Sequence, residues 1–158
     1  MADGGAGRRG AVRLRPATPA DAAALADVHH DAREQAMPWL PRLHPREETR
    51  AWFADVVLPS QVVTVAEEDG RVVALSATRE GWLEQLYVAP DAQGRGLGRV
   101  LLDAARRASP AGLRLHVFAR NARTRAFYER AGFVLVGTSD GSSTEEGEPD
   151  ATYAWSPR

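Results

Sequence analysis

The chain has 158 residues, 44% of them apolar and 26% charged, with a net charge of −1 and no cysteine. That length suits one domain with its own core, and the near-zero charge offers neither nucleic acid nor an anionic membrane a basic face. Disulfides, thiolate metal sites and a cysteine nucleophile are excluded. All 20 basic residues counted as Lys+Arg are arginine, so no P-loop or Schiff-base lysine exists.

No apolar run approaches the ~20 residues of a membrane span. The arginine pair near the start has no apolar stretch behind it, so a secretory signal is not expected and a cytoplasmic location is. Residues 1–10, rich in Gly, Ala and Arg, read as a disordered tail, and 11–158 as the folded domain.

Val12 and Leu14 alternate with Arg13 and Arg15 and predict a short first strand ended by Pro16. Thr18 is an N-cap candidate, with Pro19 at the first helical position and Asp21 at the favourable positive end. Ala22, Leu25, Ala26 and Val28 carry the helical spacing that follows. The prolines of the segment MPWLPRLHP interrupt it. A second helix is expected from about Arg46 to Val57, with Trp52, Phe53 and Val56 inward, ending before Pro59.

Two β-branched runs around Asp69-Gly70 predict a hairpin, and WLEQLYVA a third strand ended by Pro90. Gly98 to Ala108 reads as a helix with Val100, Leu101, Leu102 and Ala105 apolar. LRLHVFA is a strand, NARTRAFYERAG a helix closed by Gly132, FVLVGT a strand, DGSSTEEGEPD a polar loop and ATYAW a last strand. The order βααβββαβαββ is that of an α+β fold.

Between the third strand and the next helix lies Gln93-Gly94-Arg95-Gly96-Leu97-Gly98-Arg99. Alternate glycines let the backbone approach a ligand and present successive N–H groups, and the helix end behind them favours a diphosphate. Arg95 and Arg99 add charge. A dinucleotide fingerprint needs its glycines tight against the strand, whereas here Pro90-Asp91-Ala92-Gln93 intervenes, which disfavours a nucleotide-dependent oxidoreductase. A plain flexible turn is the structural alternative.

QGRGLG followed by the NxxTxxFYxRxGF pattern of Asn121 to Phe133 resembles the GNAT superfamily of N-acetyltransferases, over about residues 11 to 156. The resemblance implies a mixed, mostly antiparallel sheet with a splayed central strand pair, and acetyl-CoA as co-substrate. It implies that Gln93, Gly94, Arg95, Gly96, Leu97, Gly98 and Arg99 hold the pyrophosphate. It also implies that the backbone of Leu86, Tyr87 and Val88 pairs with pantetheine, beside a local bulge. Asn121 and Phe127 become cofactor contacts, with an N-cap and a core aromatic as their plain alternatives. Arg123 and Arg125 are within reach of the phosphates.

Direct acetyl transfer needs a neutral amine, and an alkyl ammonium has a pKa of about 10.4, so a base matters. Glu84 is the candidate base, directly or through water, with a glutamate on the solvated face of a strand as its plain alternative. The resemblance makes Tyr128 the acid that protonates the departing thiolate, with a packing tyrosine as the alternative. His29, His30, His44 and His116 show no metal spacing. His44 is a substrate-pocket candidate, and no metal is expected. The acceptor segments are MPWLPRLHPREE, with Trp39 and Leu40, and the acidic DGSSTEEGEPD, which would draw a cationic acceptor. The expected partner is a small-molecule or peptide amine; a homodimer is left open. A non-catalytic acyl-CoA sensor is the alternative function.

Overall fold

The computed structural model describes residues 10–158. The rest of the expected tail, residues 1–9, lies outside the described residues, and the Gly10 N–H donates to Asp69 at 3.2 Å. Strand β1 (Arg13–Pro16) leads through a 3₁₀ turn (Pro19–Asp21) into α1 (Ala22–Ala36), and α2 begins at Arg46–Trp52. Then come β2 (Val62–Glu68), β3 (Arg71–Arg79), β4 (Trp82–Val88), α3 (Leu97–Arg107), β5 (Leu113–Phe118), α4 (Ala122–Arg130), β6 (Val134–Ser139) and β7 (Asp150–Trp155). The order matches the sequence reading, and the fold is α+β.

Arg15 explains how the first elements are pinned. Its guanidinium donates to both carboxylate oxygens of Asp21 at 2.8 and 2.9 Å and to Glu67 at 2.6 Å. Asp21 in turn accepts from the Thr18 N–H at 2.7 Å. One planar donor fork thus ties β1 to the entry of α1 and to β2.

The second helix departs from expectation. It runs past Pro59 to Ser60, through a wide turn over Phe53–Val57 in which the Leu58 N–H reaches the Phe53 carbonyl. A proline clashes with the carbonyl four residues back, and one π-type turn shifts the register ahead of it. Phe53 and Val57 are fully buried, while Trp52 and Val56 are exposed; only Phe53 of the expected trio faces in.

The seven strands form one sheet in the order β1-β2-β3-β4-β5-β7-β6, antiparallel except between β4 and β5. Both tight hairpins use two residues of positive φ, Asp69-Gly70 and Glu80-Gly81, the twist that two-residue turns require. Apolar side chains pack in two clusters, one around α1, β2 and β3, the other around α4, β5 and β7. Helix α3 serves both, with Leu97 and Leu101 in the first and Leu102 and Ala105 in the second. Val100 is 45% exposed, because the inward stripe passes through 97, 101, 102 and 105.

Candidate functional site

The site begins where β4 leaves β5. The two strands pair at Trp82 and Arg114 alone, with the Arg114 N–H donating to Gly81 at 2.9 Å. Just past that pair, β3 and β4 lose register: Thr78 faces Leu83 and Ala77 faces Gln85, leaving Glu84 as the extra residue of a bulge. A bulge bends its strand and increases local twist, which turns the later part of β4 away from β5.

Beyond the bulge, the edge of β4 is open toward β5. The Ala89 N–H donates to Val73 at 2.8 Å, and an antiparallel ladder alternates bonded with non-bonded pairs. Tyr87, opposite Leu75, therefore turns its backbone to β3, while Leu86 and Val88, opposite Ser76 and Ala74, turn theirs to the gap.

The strand then runs into a short turn (Pro90–Ala92) and the glycine loop. Gly94 and Gly96 have φ of 78° and 80°, with nothing within 4 Å of where a Cβ would stand. The first bond of α3 is from the Val100 N–H to Gly96. Among the described residues the amides from Gly94 to Arg99 have no backbone acceptor. Such successive free amides at the positive end of a helix form an anion seat.

A cleft of about 690 Å³ lies between this loop, β4, β5, α1 and α4. Leu86, Tyr87, Val88, Gln93, Gly94, Gly96, Leu97, Gly98, Arg99, Asn121, Phe127 and Tyr128 line it. Arg95 does not; it pairs with Glu68 on β2. Arg99 keeps Asp103 at 3.1 Å. Asn121 is both cap and wall, its side-chain oxygen accepting from the Thr124 N–H at 3.3 Å. Of the two arginines considered for phosphate, Arg123 lines the cleft, whereas Arg125 donates to the Tyr153 hydroxyl at 3.0 Å and to the Ala119 carbonyl.

Tyr128 has a buried ring packed between Phe127 and Phe133. Among the described residues its hydroxyl has no hydrogen-bond partner. Burial, with Tyr87 adding, raises the phenol above its ordinary pKa, so the proton stays on the oxygen at neutral pH. Glu84 is placed otherwise than a base in contact with the amine requires. It lines neither cavity, and its carboxylate stands 3.8 Å from Arg79. The bulge is the cause: as the unpaired residue, Glu84 leaves the inward place to Gln85.

A second cavity of about 320 Å³ opens beside the first, between α1, the α1–α2 segment, α2, Gln85 and the β6–β7 loop. Leu40 and His44 line it, as do Glu145 and Glu146, so the two acceptor segments meet here. The acidic run is balanced in space: Glu145 by His44, Glu146 by Arg33, Glu148 by Arg120. Trp39 lies apart, edge-on to Phe118 and under Arg120.

His29 also borders this cavity, its ring 4.9 Å from that of Tyr87. Burial, with Arg33 and His30 adding, holds its pKa down to about 3, so it is neutral at working pH. The sequence reading missed the α1 wall of the cleft, including Arg33, Gln35 and Met37. Such a mix of polar and apolar residues at a helix end gave no local signal. Among the described residues no group of three metal-ligating side chains converges, and no helix is long and apolar enough to cross a membrane.

An acetyltransferase (GNAT) domain model matches residues 59–135. The L-amino acid N-acyltransferase MnaT of Escherichia coli is 30% identical over 138 residues, covering 78% of this chain and 80% of its own. The peptidyl-lysine N-acetyltransferase YiaC of the same organism is 34% identical over 100 residues, 59% of this chain and 68% of its own. Two further relatives share less of their length: the chain spans 24% of a mycothiol acetyltransferase from Propionibacterium freudenreichii and 52% of YjaB from Salmonella typhimurium. The solution structure of apo YjaB from Escherichia coli shares the fold, with a TM-score of 0.74 at 23% identity over 92% of this chain and 97% of that one. The chain belongs to the GNAT acetyltransferase family.

Proposed function

We propose that the chain transfers the acetyl group of acetyl-CoA directly to a primary amine of a small molecule or peptide. The observation that carries this reading is the run of amides from Gly94 to Arg99, without a backbone acceptor among the described residues, at one end of a cleft whose other wall is the open edge of β4. A diphosphate suits the amides, and an extended amide chain suits the strand edge at Leu86 and Val88. The relatives' names give three acceptor classes: amino acids, peptidyl lysine and mycothiol.

The amine nitrogen attacks the thioester carbonyl, a C–N bond forms, and the C–S bond breaks. The oxygen gains charge in that step and is stabilised by N–H donors of the open β4 edge. Tyr128 gives its proton to the departing sulfur; the same dry surroundings that strengthen the phenol's hold on its proton make the thiolate more basic. The amine's surplus proton leaves through water, and the Tyr128 phenolate takes one back from water, so the step closes with free coenzyme A thiol and a neutral phenol. Glu84 takes part only at the far end of such a water path, since it meets neither cavity.

Isothermal titration with acetyl-CoA, followed by thiol-release assays over an amine panel, tests the reading. Acetyl-CoA binding with thiol release on adding one of the amines supports it. Binding without turnover on any amine supports the sensor alternative, and absence of binding removes both.

A further inference from the structure

We propose that the acceptor is a free amino-carboxylate, in the simplest case an α-amino acid with an apolar side chain. Its carboxylate is received by Arg33, in the seat that Glu146 holds in this structure. This rests on the acetyl-transfer reading and narrows its substrate.

Arg33 and Met37 are the two residues that border both cavities. An amine that enters through the smaller cavity and attacks a thioester lying along β4 stands at that junction, within reach of the Arg33 guanidinium. The guanidinium carries five N–H donors in a rigid fork. Its described hydrogen-bond partners are two: Nη2 donates to Glu146 at 3.1 Å and Nη1 to the Tyr87 hydroxyl at a long 3.4 Å, while its face lies 6.0 Å from the Phe118 ring. Glu146 therefore offers one oxygen where a carboxylate can use two. The pair is well shielded, with side-chain exposures of 24% and 14%, so a bidentate carboxylate there gains more than it would in water.

The rest of the cavity fits the same ligand. Met37, Leu40 and Trp52 supply an apolar wall, and about 320 Å³ is at the small end for ligand sites, enough for a single amino acid. Arg42, the other arginine of the cavity, keeps Glu34 at 2.6 Å and does not border the cleft. A peptide N-terminus or a plain alkylamine has no carboxylate next to the amine and leaves Arg33 to Glu146. The loop carboxylate is then a built-in competitor for the substrate's own.

Leucine and leucinamide, which differ in that one charge, test the assignment in the wild type, Arg33→Lys, Arg33→Gln and Glu146→Gln. The wild type should favour leucine by about tenfold or more in kcat/KM, the range of a charge-assisted hydrogen bond. Arg33→Gln should raise KM for leucine by a similar factor and move leucinamide far less, with Arg33→Lys between. Glu146→Gln should lower KM for leucine several-fold, and that gain should vanish when Arg33→Gln is added.

Equal use of acid and amide by the wild type overturns the proposal, as does an Arg33→Gln loss shared by both. A turnover-free arm uses the coenzyme A-loaded protein and thermal shift: leucine should stabilise more than leucinamide, and more still in Glu146→Gln. Equal shifts overturn the proposal even where no amine is acetylated. A leucine preference in binding without turnover keeps the Arg33 seat and removes the transfer reading. Since Glu146→Gln leaves Arg33 in place, a poorly folded Arg33 variant does not shelter the idea.

Discussion

The side-chain amide of Gln93 donates to the carbonyl oxygen of Val88 at 3.0 Å. The bond folds the loop back onto the end of the strand it leaves, beside the cleft that Gly94, Gly96 and Gly98 line. It also occupies one of the two carbonyls that β4 turns toward the gap, leaving Leu86 as the open one. Gln93→Ala should therefore weaken acetyl-CoA binding by loosening the loop, by roughly the ~1 kcal/mol of one hydrogen bond, or about fivefold in Kd by titration. An unchanged Kd would show that the loop holds its shape without that tether.

Gly96 and Gly98 should respond oppositely to alanine. Gly96 caps α3 at φ 80°, where a side chain costs about 1–2 kcal/mol. Gly96→Ala should lower Tm and weaken acetyl-CoA binding together. Gly98 lies inside the helix without a positive φ, and an added Cβ would sit at ordinary contact, 3.7 Å from Phe127 and 3.8 Å from Val88. Gly98→Ala should therefore be neutral or stabilise the free protein by about 0.5–1 kcal/mol. A Tm loss in both would mean that α3 starts differently.

Tyr128 and Glu84 should separate in kinetics. Tyr128→Phe removes the one donor hydroxyl of a buried ring on the cleft and should lower kcat about a hundredfold or more, the range of a lost general acid. Acetyl-CoA binding should hardly change. Glu84→Gln should stay within about tenfold of wild type, since a base touching the amine would show about a hundredfold loss. A larger drop for Glu84→Gln at unchanged Kd would put the carboxylate in contact with the acceptor and reverse its present placement.

Much of this frame could be read from the residues, and the failures have a common physical form. Asp69-Gly70, Pro90, Asn121 and Gly132 are local devices, fixed by backbone geometry within a few residues, and each stands where its chemistry put it. The glycine loop was legible for the same reason. The bulge at Glu84 was not legible, because it changes which side of the strand a residue serves and its cause lies in register with β3. Trp52 and Val56 were misread because a π turn moves the inward stripe. Arg33 and Glu146 are 113 positions apart, and no local pattern reports such a meeting. The acidic loop looked unbalanced along the chain because its cations come from α1, the segment before α2 and the end of β5.

Asp21 is the stability site that tests the first elements. Its carboxyl is held below the ordinary 3.8 by the hydrogen bonds from Arg15, against the opposing effect of burial. A depressed carboxylate contributes stability that is complete above its unfolded pKa and is lost as pH falls through the folded one. Unfolding below about pH 4 should therefore be steeper in the wild type than in Asp21→Asn. Asp21→Ala should cost about 2 kcal/mol at neutral pH, the range of a charged hydrogen bond plus a cap, measured by urea midpoint. A cost below about 0.5 kcal/mol, the usual range for surface sites, would mean that Arg15 and Glu67 hold β1 without it.

His44 gives the last test, because its two ring nitrogens face carboxylates from different elements. Nδ1 stands 3.1 Å from Glu48 on α2, and Nε2 stands 2.5 Å from Glu145 on the β6–β7 loop. A neutral imidazole has one N–H and can satisfy only one of them; both contacts require the imidazolium. The bonds to Glu145 and then Glu48 accordingly raise the pKa above its ordinary 6.5. The sign follows from linkage: the contribution is complete below the unfolded pKa and is lost as pH rises through the higher folded value. The loop should thus be clasped to α2 at mildly acidic pH and released from it above the folded pKa, which changes one wall of the smaller cavity. Proton NMR of the imidazole should show a midpoint above 6.5 in the wild type, falling toward about 6.5 in Glu145→Gln. Amide exchange over residues 142–148 should quicken across the wild-type midpoint and show no such step in the variant. A wild-type midpoint at or below 6.5 would leave the clasp without its charge and the loop without a pH response.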